Sequence, residues 1–337
     1  MKDLRHRLEA RLGQGVFAAL RWLGPAAASD LGGAVARAIG PFLPVSRVAE
    51  DNLRRALPAL DAAARRVIIR AVWDNLGRTM AEFPHLPNLV RTTSGPGWEI
   101  VGEEIVRDLA ATGGPVIFFS AHTGNWEMLP PIAAHFGIPL ASFYRPLGNP
   151  HLDARIAALR RAAIRRPAIG HPGIGHPGIG RPGIGAEVVN FRKGAAGARA
   201  AFGHLLRAGY LGMLVDQKLN DGIAARLFGE VAMTAPAPAT LALRFRCPVI
   251  PTRIERLGPA RFRLVVEPAL ALPDCAEGKQ RVAALTQAIN DRLEDWIRAR
   301  PGEWLWLHRR WPPVKPAPPP ARSSAARMFS RARGGRL

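Results

Sequence analysis

Two cysteines and two tyrosines in 337 residues are the scarcest features of this chain. Cys247 and Cys275 cannot form a disulfide framework, and neither lies in a C-x-x-C pair or a His-rich cluster that would point to a metal. The cysteines fit a reducing compartment, and no residue set calls for a metal or cofactor. Acidic residues are also few, 26 against 47 basic ones, so the formal charge is +21. Eight of the bases and no acid fall in 308–337, which leaves about +13 on the rest of the chain. A field of this sign favours a polyanionic partner such as nucleic acid, an anionic membrane, a phosphorylated substrate or an acidic carrier protein.

Long uncharged apolar runs are missing as well. A spanning helix needs about 20 apolar residues, and the nearest candidate, Gln14–Ser46, is interrupted by Arg21, Asp30 and Arg37. Its apolar pieces suit an interfacial helix pair that contacts a membrane, or a helical hairpin that covers the core. A signal peptide is a poor fit, because charges break the apolar stretch and MKDLRHRLEARL is itself amphipathic.

Nearly half the residues are apolar, enough for a sizeable core. Residues 1–92 read as a helical region, with Val67, Ile68, Ala71, Val72, Leu76 and Met80 at helical intervals. From residue 93 to 315, short β-like runs alternate with helical stretches. Strands are expected at Trp98–Val101, Pro115–Phe119, Pro139–Phe143, Tyr210–Val215, Pro248–Ile254 and Phe262–Val266. Helices are expected at Glu103–Ala111, Asn125–Phe136, Pro150–Ala163, Ala196–Arg207, Pro236–Arg246 and Gln280–Arg300. The alternation predicts an α/β fold, a central, mainly parallel sheet flanked by helices. Four five-residue units rich in Gly and Pro (RPAIG, HPGIG, HPGIG, RPGIG) occupy 166–185 and read as a surface loop, and 316–337 reads as a basic, disordered tail.

The chemistry centres on SAHTGNWEML, residues 120–129, directly after an apolar run. Ligands in open α/β sheets bind beyond the carboxyl ends of strands, where this loop falls. On one continuous helix His122 and Glu127 would point about 140° apart. With His122 in the loop, Glu127 can fold back and orient the imidazole as a general base. No G-x-S-x-G elbow supplies a nucleophile, so the base would activate a substrate hydroxyl. Asn149 before Pro150 reads as a helix cap, and Thr234 as a cap or a chemical group.

The His-x4-Glu pattern, followed by YRPLGNPHLD (144–153), LLRAGYLGMLVDQ (205–217), FGEVAMTAPAPATLA (228–242), CPVIPTRIER (247–256) and RPGEWLWLHRRW (300–311), resembles the lauroyl/myristoyl acyltransferases of lipid A biosynthesis. These belong to the His-x4-Asp/Glu glycerolipid acyltransferase superfamily. The resemblance implies transfer of an acyl chain from acyl carrier protein to a hydroxyl of a Kdo-modified, phosphorylated lipid A precursor. It also implies a site at the cytoplasmic face of the bacterial inner membrane. It casts His122 as general base, Glu127 as its partner and Arg145 as a phosphate or oxyanion ligand, with Asn125, Trp126, Asp216, Gln217, Arg309 and Arg310 as further substrate-binding residues. Asp216 and Gln217 can shape the site or satisfy backbone groups. Trp304 and Trp306 can meet headgroups or pack on the core. The competing readings are a lysophospholipid acyltransferase, which differs in acceptor alone, and a thioester or ester hydrolase with the same dyad. A nucleic-acid binder has only the charge in its favour, with no recognised motif.

Overall fold

The computed structural model describes residues 2–165, 190–192, 194–274 and 278–312. The repeat loop and the basic tail lie outside these residues, as does Cys275.

Four helices come first: α1 (Lys2–Leu23), α2 (Pro25–Ile39), α3 (Ser46–Ala56) and α4 (Ala62–Glu82). Small residues let α2 lie close on α4. A Cβ on Gly77 would meet the Gly32 carbonyl oxygen at 2.2 Å, so a larger residue there would drive the two helices apart. The helix expected from the spacing of Val67 to Met80 forms as α4, but its buried face is only in part the one that spacing implied. Ile69, Val72 and Trp73 are buried while Val67 and Met80 are exposed. The buried face also carries Asn75, Thr79 and Glu82, three polar residues that apolar spacing could not anticipate.

The α/β region follows with β1 (Gly97–Val101), α5 (Glu103–Thr112), β2 (Val116–Ser120), α6 (Leu129–His135), β3 (Leu140–Tyr144), α7 (Pro150–Arg165), β4 (Asn190–Arg192), α8 (Ala195–Leu206), β5 (Tyr210–Leu214), β6 (Ile223–Leu227), β7 (Glu230–Thr234), α9 (Ala237–Phe245), β8 (Val249–Gly258), β9 (Arg261–Val266) and α10 (Gly278–Ala299). Seven strands form one sheet in the order β1-β9-β8-β2-β5-β3-β4, and every pair is parallel except β8 with β9. The α/β architecture is as the alternation predicted. The hairpin β6–β7 and the short edge strand β4 were not expected; both are brief and amphipathic runs near glycines, weak signals against the buried core strands.

Two apolar clusters sandwich the sheet. One joins Ile117, Phe119 and Leu211 to α10 (Leu285, Ile289, Leu293) and to Trp304 and Trp306; the other joins Val116, Tyr210 and Phe262 to Met128 and Ile132. The central position of β2, between β8 and β5, fixes the loop that follows it against both neighbours. Val215 donates its amide to the Ser120 carbonyl at 3.0 Å, which brings the ends of β2 and β5 together.

Candidate active site

His122 sits in the turn after β2 and Asp216 two residues past β5, the adjacent parallel strand. Topology alone therefore delivers them to one spot, although 94 residues separate them. The imidazole Nδ1 donates to Asp216 Oδ1 at 2.8 Å, and the His122 amide donates to Oδ2 at 3.0 Å. The indole of Trp304 gives Oδ2 a third bond at 2.8 Å. Asp216 is completely buried, and burial by itself would push its proton affinity up. The adjacent His122 outweighs that cost and holds the carboxyl below the ordinary carboxylate range. An ionised carboxylate can only accept, so Nδ1 of His122 carries a proton, and in the neutral form of the ring the lone pair is on Nε2. The imidazole side chain is 16% exposed, the carboxylate not at all.

Glu127 is placed otherwise than the sequence reading proposed. It does not orient His122: Arg160 of α7 grips it with two bonds, Nε to Oε2 at 2.8 Å and Nη2 to Oε1 at 2.6 Å. The guanidinium also lies over the Phe83 ring, 5.6 Å from its centroid. Burial opposes the charge on Arg160, and the bond to Glu127 more than compensates, raising its proton affinity. The backbone explains the separation. Asn125 caps a single 3-10 turn, Trp126–Met128, before α6 begins, and that turn aims Glu127 at α7.

The remaining expected residues divide by exposure. Trp126 packs edge-on against the His122 ring at 5.1 Å and so lines the histidine. Asn125 is fully buried and donates to Glu82 Oε2 at 2.8 Å, a scaffold contact rather than a substrate contact. Arg145, just past the end of β3, is exposed at the same carboxyl edge of the sheet. Gln217 is half-buried beside Asp216, and Arg309 is exposed. Arg310 is fully buried and donates to the Met233 carbonyl at 2.8 Å and to Thr234 Oγ1 at 2.7 Å. Burial pushes its proton affinity down to about 10, so it serves the β7 end and not a surface ligand. Thr234 takes the same bond and caps nothing: the cap of α9 makes no side-chain bond. Trp304 and Trp306 are both fully buried, edge to face at 4.5 Å, which places them in the core rather than among headgroups.

Three supports absent from the sequence reading hold the histidine turn. From α4, Asn75 Nδ2 and Thr79 Oγ1 donate to the Gly124 carbonyl at 2.9 and 3.1 Å. Glu82 takes bonds from Ser29 (2.6 Å) and from Arg256 of β8, and Arg256 also donates to Asn75 Oδ1 at 2.8 Å. The third support is the segment after α10. Thr123 and Trp304 form an antiparallel bridge, Leu305 donates its amide to the His122 carbonyl at 3.0 Å, and Gly124 donates to the Glu303 carbonyl at 3.3 Å. Gly124 has φ +54°, and a Cβ there would lie 2.5 Å from the Ile254 carbonyl oxygen, so the turn requires glycine. Asn75, Thr79 and Glu82 share one helical stripe by their spacing of four and three, a pattern of buried polar residues that could have marked them. No local signal marks Arg160 or Arg256.

His308 completes the cluster. Its Nε2 donates to the Asp216 main-chain oxygen at 3.3 Å, and burial lowers its proton affinity despite the attraction of Asp216. Among the described residues no three His, Cys, Asp or Glu side chains come together as metal ligands.

Comparison with known proteins gives the family. The profile of the family described as bacterial lipid A biosynthesis acyltransferase matches residues 2–166 and 179–312. The phosphatidylinositol mannoside acyltransferases of two Mycobacterium tuberculosis strains, CDC 1551 / Oshkosh and ATCC 25618 / H37Rv, are each 35% identical over 92 residues. That stretch is 27% of this chain and 27% of either relative, so the chain spans about a quarter of the length of the curated relatives it matches.

Proposed function

Because the chain belongs to the bacterial lipid A biosynthesis acyltransferase family and is an acyltransferase, we propose that it moves a fatty acyl chain from a thioester on acyl carrier protein to a hydroxyl of a phosphorylated, Kdo-modified lipid A precursor. The bond between His122 Nδ1 and Asp216 Oδ1 is the observation that carries the mechanism. It leaves Nε2 to take the proton of the acceptor hydroxyl as that oxygen attacks the thioester carbonyl. The C–S bond then breaks, and the imidazolium returns its proton to the departing thiolate. Asp216 stabilises the imidazolium between the two proton transfers. No side-chain nucleophile is needed, so no acyl-enzyme forms. Trp126 walls one face of the imidazole, and exposed Arg145 is suited to an acceptor phosphate by its planar, permanently charged fork.

The reaction is proposed at the cytoplasmic face of the inner membrane. Among the described residues no helix is long and apolar enough to cross a bilayer. Attachment instead rests on the apolar stripe of α1, where Leu4, Leu8, Leu12, Val16 and Trp22 are exposed at helical spacing. The opposite face of α1 docks on the body through the Phe17–Phe83 stack and through Asn149, which donates to the His6 carbonyl at 2.9 Å.

A second reading keeps the same dyad and changes the acceptor to a glycosylated phosphatidylinositol, favoured by the names of the two mycobacterial relatives. Mass spectrometry of products separates these. The purified protein receives acyl-loaded carrier protein with the lipid A precursor, a phosphatidylinositol mannoside or a lysophospholipid, beside His122→Ala. One acyl mass gained by the lipid A precursor and absent with the variant is the expected result. Transfer to another acceptor alone, or fatty acid release without one, would overturn the acceptor assignment.

A further inference from the structure

We propose that the groove between the second half of α2 and the facing turn of α4 binds the phosphate of an anionic membrane lipid, while the adjoining Phe42–Val45 tip enters the apolar layer. The proposal deepens the membrane placement made above and is independent of the acceptor.

The groove has a volume of about 270 Å³ and is lined by Ala34, Arg37, Ala38, Pro41, Phe42 and Arg70. Its small floor residues leave the space, and its walls are two guanidinium groups and one aromatic ring. Arg37 is held in place by Asp74, which accepts from it at 2.6 Å. The other oxygen of Asp74 accepts from Arg78 at 2.6 Å, and Arg78 also donates to Asp30 Oδ1 at 2.7 Å, so these two arginines are matched by two carboxylates. Among the described residues nothing hydrogen-bonds or ion-pairs with the Arg70 side chain, and the residue is exposed. The groove therefore keeps positive charge that the protein does not neutralise, and charge complementarity selects an anion.

Its surroundings select a lipid over a soluble anion. Leu31, Val35 and Ile39 form an exposed stripe along α2, at 48%, 49% and 56%, and it runs to Phe42 at 85%. Leu43 and Val45 continue the apolar surface past the helix. The interior cannot take this stripe, because α2 gives its opposite face, with Ser29 and Gly33, to the protein. Aromatic and aliphatic groups beside arginine match the boundary between acyl chains and phosphates. The bare backbone near Phe42 is also anchored: Ser46 Oγ donates to the Gly40 carbonyl at 2.8 Å and accepts from Trp73 at 2.9 Å, which presents the tip on a firm base.

Co-sedimentation of the full chain with vesicles of phosphatidylcholine, alone or mixed with phosphatidylglycerol, tests the assignment. The wild-type protein should prefer the anionic vesicles at low salt. Arg70→Gln should weaken that binding about fivefold and Arg70→Lys should restore most of it. Phe42→Ser should weaken binding to both vesicle types about tenfold. Equal binding by the Arg70→Gln, Phe42→Ser and wild-type proteins would overturn the site. So would displacement by glycerophosphoglycerol, the headgroup without tails, since a free phosphate ester would then be the ligand. Acyl transfer to a detergent-dispersed acceptor, measured on the same wild-type preparation, fails or succeeds separately and so tests the reaction rather than the groove.

Discussion

Arg160 and Glu127 face each other in a two-bonded fork, so the carboxylate closest to His122 in sequence is committed to α7. Asp216, at the end of the next strand, is the group that touches the imidazole. The two acids therefore differ in what their removal does. Asp216→Asn should lower kcat by roughly 10³- to 10⁴-fold and distort the pH–rate profile, because an amide can present the wrong hydrogen-bonding partner to Nδ1. Glu127→Gln should leave the shape of that profile intact. Its main effect should be on stability, about 1–2 kcal/mol after allowance for the one-third exposure of Arg160, read by chemical denaturation.

Trp304 is a donor to the carboxylate that bonds His122 as well as a core residue. Trp304→Phe keeps most of the volume and deletes the N–H. A hydrogen bond to a charged group contributes about 1.5–3 kcal/mol, so a rate loss of roughly tenfold or more is expected in single-turnover measurements.

The buried Glu82–Arg256 pair lies behind the histidine turn, with Glu82 wholly inaccessible. Glu82→Gln leaves Arg256 without its counter-charge and should cost about 3–5 kcal/mol in urea unfolding. Replacement of Gly124 by alanine should also destabilise, by about 1–3 kcal/mol, through the positive φ and the clash with Ile254. Activity should fall further than folding does, because the turn carries His122.

His85, His204 and His308 all have proton affinities lowered chiefly by burial. A lowered folded-state pKa means that the unfolded chain binds more protons below about pH 6.5, so stability rises with pH across that window. The thermal midpoint should therefore fall when pH is taken from 7.5 towards 5.5, and His308→Gln should flatten part of the decline. Asp216 acts in a separate range: its depressed pKa stabilises above the unfolded carboxyl value near pH 4 and is lost only in stronger acid.

Strand alternation was legible in this sequence because core strands such as Val116–Ser120 and Tyr210–Leu214 are short, nearly continuous apolar runs of the kind parallel sheets require. His122 was legible because it follows such a run directly. Its partner was not, since a local reading prefers an acid five residues away to one 94 residues away, and only the adjacency of β2 and β5 reverses that order. Asp216 was noticed as a site residue without its role. Arg310, Trp304 and Trp306 resembled a surface patch because arginine and tryptophan suit both a headgroup layer and a buried, bonded interior. Burial decides between these, and burial is a property of the fold.

The strip Glu303–Leu305 is threaded beside the histidine turn by main-chain bonds at His122, Thr123 and Gly124. During synthesis His122 leaves the ribosome about 180 residues before that strip does. A nascent chain can thus build its sheet, from β1 to β9, while its histidine turn still lacks one of its walls. The Trp304 indole reaches Asp216, and the histidine turn gains its last wall, only when that strip docks, so shortened translation products that stop before residue 303 should be folded in part and far less active than the full chain.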